Sequence, residues 1–122
     1  MIENYLREYH DTLKNSNVIL NYKLETKRIN DFLLILEGSA KTEIGLLGFV
    51  EVLRYDGIEI NKKKYKYNFR TFNSKLIFRF DNAPHYPKIK SFPHHLHSVS
   101  EVSESVEPTI YQVFKKSKSI FN

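Results

Sequence analysis

The spacing of hydrophobic positions along this chain changes from helical to alternating and back to helical. Ile2, Tyr5, Leu6, Tyr9 and Leu13 recur at intervals of three and four, the stripe of a helix over 2–14. Asn15-Ser16-Asn17 ends it. From 18 to 27 the period is two: Val18, Leu20, Tyr22, Leu24 and Thr26 alternate with Asn21, Lys23, Glu25 and Lys27. That is a strand with one wet face. Asn30-Asp31 turns the chain into a more apolar, more central strand, Phe32 to Glu37. A loop is expected from Gly38 to Gly45 and a third strand from Leu46 to Tyr55, with a turn at Asp56-Gly57. A fourth strand starts near Ile58 or Lys63 and runs to Thr71. Phe72 to Lys75 reverses the chain into a fifth, with Leu76, Phe78 and Phe80 on one face and Ile77, Arg79 and Asp81 on the other. Ser98 to Ser105 reads as a polar connection. Pro108 suits the first position of a helix over 108–121. Its apolar face is Ile110, Val113, Phe114 and Phe121, and Lys115, Lys116 and Lys118 suit the dipole at its end.

A helix, about five strands in short connections and a second helix predict an α+β fold. A single antiparallel meander is packed by the N- and C-terminal helices. Residues 1–122 read as one domain, with no repeat or linker. Phe69, Phe78, Phe80, Leu20, Leu24 and Leu6 are the expected core. The hairpin at Asn73-Ser74 can be put in register. Pairing Thr71 with Leu76, Phe69 with Phe78 and Tyr67 with Phe80 keeps apolar side chains together. Asn68 then faces Arg79, and Lys66 faces Asp81. The outer face carries Lys66, Asn68, Arg70, Arg79 and Asp81. Lys62-Lys63-Lys64 extends it, and reads first as a solvated turn.

After Asp81 the alternation stops. Asn82, Pro84, Pro87 and Pro93 continue neither a ladder nor a helix. Four of the five histidines, His85, His94, His95 and His97, lie in this stretch. A proline-stiffened, imidazole-rich loop straight after Arg79 and Asp81 is the best candidate site.

Composition narrows the chemistry. The 122 residues are 41% hydrophobic and 14% aromatic, enough for a real core. Cysteine is absent, which excludes disulfides, thiolate zinc sites and cysteine nucleophiles. The longest apolar run, Phe32 to Leu36, is too short to cross a bilayer, and the N-terminus does not read as a signal peptide. A cytoplasmic protein is expected. The formal charge of +5 makes an anionic partner plausible, although many small domains are mildly basic.

Phosphodiester cleavage in RNA needs a base for the 2′-hydroxyl, an acid for the leaving oxygen and cations for the developing charge. Histidine and arginine supply all three without a cofactor. Arg79, Asp81, His85, His94, His97 and Tyr67 are the catalytic candidates, with Arg79 on phosphate, His85 as first choice for acid or base and Asp81 orienting a neighbour. Lys64, Lys66, Asn68, Arg70 and His95 are the RNA-binding candidates. Tyr65, Tyr67 and Tyr86 offer rings for bases to stack on. The plainer reading is a surface ion pair between Lys66 and Asp81, a core Tyr67 and histidines that fill a turn. A zinc site built from His94, His95 and His97, with His85, Asp81 or Glu51 added, is the rival chemistry. No established zinc spacing supports it, so no metal is assigned. Gly-rich phosphate loops and nucleophile elbows are absent.

The run Lys64-Tyr65-Lys66-Tyr67-Asn68, then Leu76 to Pro87, then Phe92 to His97, resembles the TumE family of toxins from toxin–antitoxin systems. The resemblance covers roughly the last two-thirds of the chain. It implies a small prokaryotic toxin, an antitoxin partner encoded by a neighbouring gene and an activity on RNA. Arg79, Asp81, Asn82, His85, His94, His95 and His97 match the family pattern. Three positions depart from it. Asn68 stands where the family has histidine, and an amide cannot shuttle protons at neutral pH. Tyr86 replaces a second histidine, and Ser74 a turn glycine. A non-catalytic nucleic-acid- or protein-binding module is the alternative.

Overall fold

A computed structural model describes residues 2–120. The elements are α1 (Ile2–Asn15), β1 (Asn21–Asn30), β2 (Leu33–Lys41), β3 (Gly45–Tyr55), β4 (Ile60–Thr71), β5 (Leu76–Asp81), β6 (His95–His97), β7 (Val102–Glu104) and α2 (Ile110–Ile120). The strands form one sheet in sequence order, antiparallel throughout. The fold is therefore the expected α+β meander, with seven strands rather than about five. The two extra strands are three residues each and lie in stretches read as loop and polar connection. Three residues are too few to show a period.

Both helices lie on one face of the sheet. Tyr9 and Leu13 of α1 and Ile110, Val113 and Phe114 of α2 close over Leu36, Leu47, Phe49, Tyr67, Phe69 and Phe78. Phe69, Phe78 and Phe80 are buried as expected, while Leu6 and Leu24 pack against the cluster half-buried. Leu20 departs from the expectation: it is 59% exposed. It sits in a bend before the ladder begins, and Ile19 packs against the core instead. No helix among the described residues is long and apolar enough to cross a membrane.

The expected loop at 38–41 belongs to β2. Gly38 is a packing glycine: a Cβ would come within 2.1 Å of the Lys23 carbonyl oxygen and 2.9 Å of the Phe49 ring. At Asp56-Gly57 the turn forms as read. Gly57 takes φ +95°, and the Asp56 carboxylate accepts the amides of Ile58 and Glu59, each at 2.8 Å. Pro108 precedes α2 rather than opening it. Thr109 caps the helix, its hydroxyl accepting the Gln112 amide at 3.2 Å while the Gln112 side chain accepts the Thr109 amide at 2.9 Å. Phe121 lies outside the described residues.

Two bulges reassign side chains between faces. In β5, Phe69 pairs with Phe78 and Arg70 with Leu76, so Ile77 is the extra residue. The expected Thr71–Leu76 pair is absent. Leu76 moves to the outer face, and Ile77 packs against the core. In β4, Val52 pairs with Lys64 and Leu53 with Lys62, so Lys63 bulges and Lys62 turns inward. The remaining register is as expected: Tyr67 opposite Phe80, Asn68 opposite Arg79, Lys66 opposite Asp81.

Candidate functional site

No helix covers the other face of the sheet among the described residues. There β5 and β6 set Arg79 opposite His97 and Asp81 opposite His95. Side chains of directly paired residues share a face, so a carboxylate, a guanidinium and two imidazoles meet. Asp81 is the centre. Its Oδ1 lies 2.8 Å from His95 Nε2, and its Oδ2 accepts from Arg79 Nε at 3.1 Å and lies 3.6 Å from His97 Nε2. His95 also donates from Nδ1 to the Pro93 carbonyl at 2.9 Å. Both nitrogens of this buried ring thus face acceptors, which fixes its orientation.

His97 is the opposite case. Arg79 Nη2 donates to its Nε2 at 3.2 Å, so that nitrogen carries a lone pair. Burial, with the Arg79 charge added, pulls its pKa below the ordinary histidine value, and Asp81 only partly offsets this. His97 is therefore neutral at neutral pH, with its acceptor nitrogen directed at a cation.

The loop after β5 folds back over this cluster. Asp81 Oδ1 accepts the Ala83 amide at 3.0 Å. Asn82 completes the attachment to β4, accepting the Tyr65 amide at 3.1 Å and donating to the Lys63 carbonyl at 3.0 Å. Tyr86 then stands edge-on to both rings, 5.0 Å from His95 and 5.6 Å from His97 between centroids. A pocket of about 530 Å³ opens between loop and sheet. Arg79, Asp81 and His97 lie inside it, with His85, Tyr86, Lys64 and Lys66 also lining it.

The expected site residues divide between two faces. Arg79, Asp81, His85, His97, Lys64 and Lys66 converge on the pocket. Asn68 lies beside it, opposite Arg79. His95 is 1% exposed and held by Asp81, so it supports the site from beneath rather than meeting a ligand. Arg70 is drawn to the hairpin, where Nη1 donates to the Ser74 carbonyl at 3.0 Å. His94 and Tyr67 lie on the helix-covered side. His94 Nδ1 is hydrogen-bonded to the Tyr65 hydroxyl at 2.8 Å with the rings stacked, and Tyr67 is fully buried.

Tyr67 belongs to a second polar cluster that the sequence did not announce. Glu51, 0% exposed, accepts the hydroxyls of Tyr67 and Tyr5. Lys62 Nζ lies 3.6 Å from its carboxylate and donates to the Tyr67 oxygen at 2.5 Å and the Pro108 carbonyl at 2.6 Å. Burial pushes both tyrosines far above the ordinary phenol range, with Glu51 adding to the effect, so they remain donors. Burial pulls Lys62 down, and Glu51 pulls it back. The one signal in the sequence was Glu51 itself, a carboxylate on the apolar face between Phe49 and Leu53. This cluster ties α1 and the approach to α2 onto the sheet.

Asp81, His95 and His97 have donor atoms within 4.8 Å of one another, the sole such grouping among the described residues. Arg79 already bridges Asp81 and His97, so the chain supplies the cation that this electron-rich focus requires. Glu51 and His94 face the other way and cannot join that set.

The family model for the toxin TumE matches residues 8–120, nearly the whole chain. The chain belongs to the TumE toxin family. No curated protein and no solved structure matches it.

Proposed function

We propose that this TumE-family toxin is a metal-independent endoribonuclease of a prokaryotic type II toxin–antitoxin system, and that the open-face pocket is where it cuts. One observation carries the reading: the acceptor nitrogen of a neutral His97 is held against Arg79 inside a pocket rimmed by Lys64, Lys66 and His85. A scissile phosphate entering the pocket takes Arg79 from His97, because a guanidinium fork prefers a phosphate oxygen. The freed His97 Nε2 removes the 2′-hydroxyl proton. The 2′-oxygen attacks phosphorus, the P–O5′ bond breaks and His85 protonates the departing 5′-oxygen. The products are a 2′,3′-cyclic phosphate and a 5′-hydroxyl. Arg79 and Lys66 face the charge that builds on the phosphoryl oxygens. Asp81 and His95 are positioning residues, since they reach substrate only through Arg79 and His97.

The alternative is a non-catalytic module whose basic face merely binds. Incubating the protein with single-stranded RNA in EDTA separates the two. Cyclic-phosphate ends should form, and His97→Ala and His85→Ala should each lower the rate about 10²–10⁴-fold. RNA left intact by the wild type, or cut equally by both variants, rejects the mechanism.

A further inference from the structure

Leu96 separates the two histidines of β6, so His95 and His97 project to one face, opposite Asp81 and Arg79 of β5. The ladder does more than gather charge. It turns both Nε2 atoms onto a single carboxylate, His95 at 2.8 Å from Oδ1 and His97 at 3.6 Å from Oδ2. His95 commits Nδ1 to the Pro93 carbonyl at 2.9 Å, which leaves Nε2 as the nitrogen for a ligand bond. His97 Nε2 accepts from Arg79 Nη2 at 3.2 Å, so its lone pair already holds a cation.

Two imidazole nitrogens and a carboxylate are the ligands of a borderline divalent metal ion. In a tetrahedral zinc site with bonds of about 2.1 Å, ligand atoms stand about 3.4 Å apart. The two contacts at 2.8 and 3.6 Å straddle that spacing, and all three donor atoms lie within 4.8 Å. Rotation of His97, the more exposed of the two rings, closes the remaining pair. The outer bonds that hold such ligands in place are present as well. The Pro93 carbonyl orients His95, the Ala83 amide donates to Asp81 Oδ1 at 3.0 Å, and Tyr86 packs edge-on against both imidazoles. Asp81 and His97 open onto the pocket, which leaves a fourth position for water or for His85 on the same pocket wall. His94 is not in the set, because Tyr65 holds it on the other side.

Arg79 competes for these atoms. Its Nε and Nη2 occupy the Asp81 oxygen and the His97 nitrogen that a metal would take. Its side chain is 27% exposed and lines the pocket, so it can swing out. Guanidinium and metal ion are therefore alternatives at one focus. We infer that Asp81, His95 and His97 form a zinc site that excludes Arg79, and that a bound zinc ion blocks the pocket; the blocking rests on the ribonuclease reading given above. Zinc on His97 Nε2 removes the lone pair that takes the 2′-hydroxyl proton, and it parts Arg79 from the carboxylate that positions it.

The test is isothermal titration of untagged protein with zinc chloride, alongside RNA cleavage. A single zinc ion should bind each chain. His97→Gln and Asp81→Asn should each weaken binding about 100-fold or more. His10→Gln, on the helix side beside Tyr22, should leave it unchanged. Arg79→Gln should bind zinc about tenfold tighter, a gain that misfolding does not produce. Saturating zinc should slow wild-type cleavage about 10²-fold or more, and EDTA should restore it. Absence of binding, or an affinity that Arg79→Gln fails to raise, overturns the site and leaves the ribonuclease reading standing. Cleavage that zinc leaves unchanged or accelerates overturns the block. Zinc bound as expected by a protein that cuts no RNA in EDTA would instead remove the ribonuclease reading and keep the site.

Discussion

His95 Nε2 lies 2.8 Å from Asp81 Oδ1, and both side chains are buried beneath the open face. The other carboxylate oxygen accepts from Arg79 at 3.1 Å. A single carboxylate therefore anchors both His95 and Arg79. Asp81→Asn removes the countercharge of Arg79 and the carboxylate partner of His95. Breaking a largely buried ion pair in this way should cost about 3 kcal/mol, measured by urea unfolding, and should abolish growth arrest. A variant as stable and as toxic as the wild type would show that Arg79 and His95 hold their places without Asp81.

His97 carries a pH signature. Its folded pKa lies below the ordinary value, first through burial and then through Arg79. Protons therefore bind the unfolded state more readily, and this group's contribution to stability is present above the ordinary histidine pKa and lost as pH falls through the folded value. An NMR titration of the His97 Cε1 proton should show a midpoint below 6.5, the ordinary histidine value. In Arg79→Gln the midpoint should move upward. A midpoint at or above the ordinary value would deny His97 its neutral, accepting form.

Lys62 and Glu51 form the ion pair under the helices, 3.6 Å apart. Lys62→Met leaves a buried carboxylate with only tyrosine donors. It should destabilise by roughly 3 kcal/mol in denaturant, and adding Glu51→Leu should restore part of the loss. Any effect on RNA cleavage should follow stability alone, because this cluster lies on the far side of the sheet. A fall in cleavage by a fully folded Lys62→Met protein would contradict that separation.

An acidic or apolar segment of the antitoxin is expected to cover the face of Lys66, Arg70 and Arg79. Complementary charge would speed association and mask the pocket. Lys66→Glu and Arg79→Glu should each slow complex formation, most clearly at low salt, in surface plasmon resonance with the co-expressed partner. Association rates unchanged in both would place the antitoxin elsewhere.

The run of residues by itself determined much of this molecule. Alternation in Phe69, Phe78 and Phe80 placed the core side of β4 and β5, because a one-residue slip would have put aromatic rings in water. The same constraint set Asn68 opposite Arg79 and Lys66 opposite Asp81, so half of the pocket was legible before any coordinates. The stretch Lys64 to His97 carried the family resemblance. Tertiary structure decided the rest, and it did so where period fails as a guide. The bulges at Lys63 and Ile77 each invert the face of the residues beyond them: Lys62 became a core cation, and Leu76 an outer residue. A bulge leaves no mark in hydrophobic spacing. The histidines had no spacing to read, since the loop between β5 and β6 has no repeat. Pairing of β6 with β5 sent His95 and His97 to Asp81 and left His94 on the opposite side with Tyr65. Which of three neighbouring imidazoles faces the pocket depends on strand register, and that is set by contacts distant in sequence.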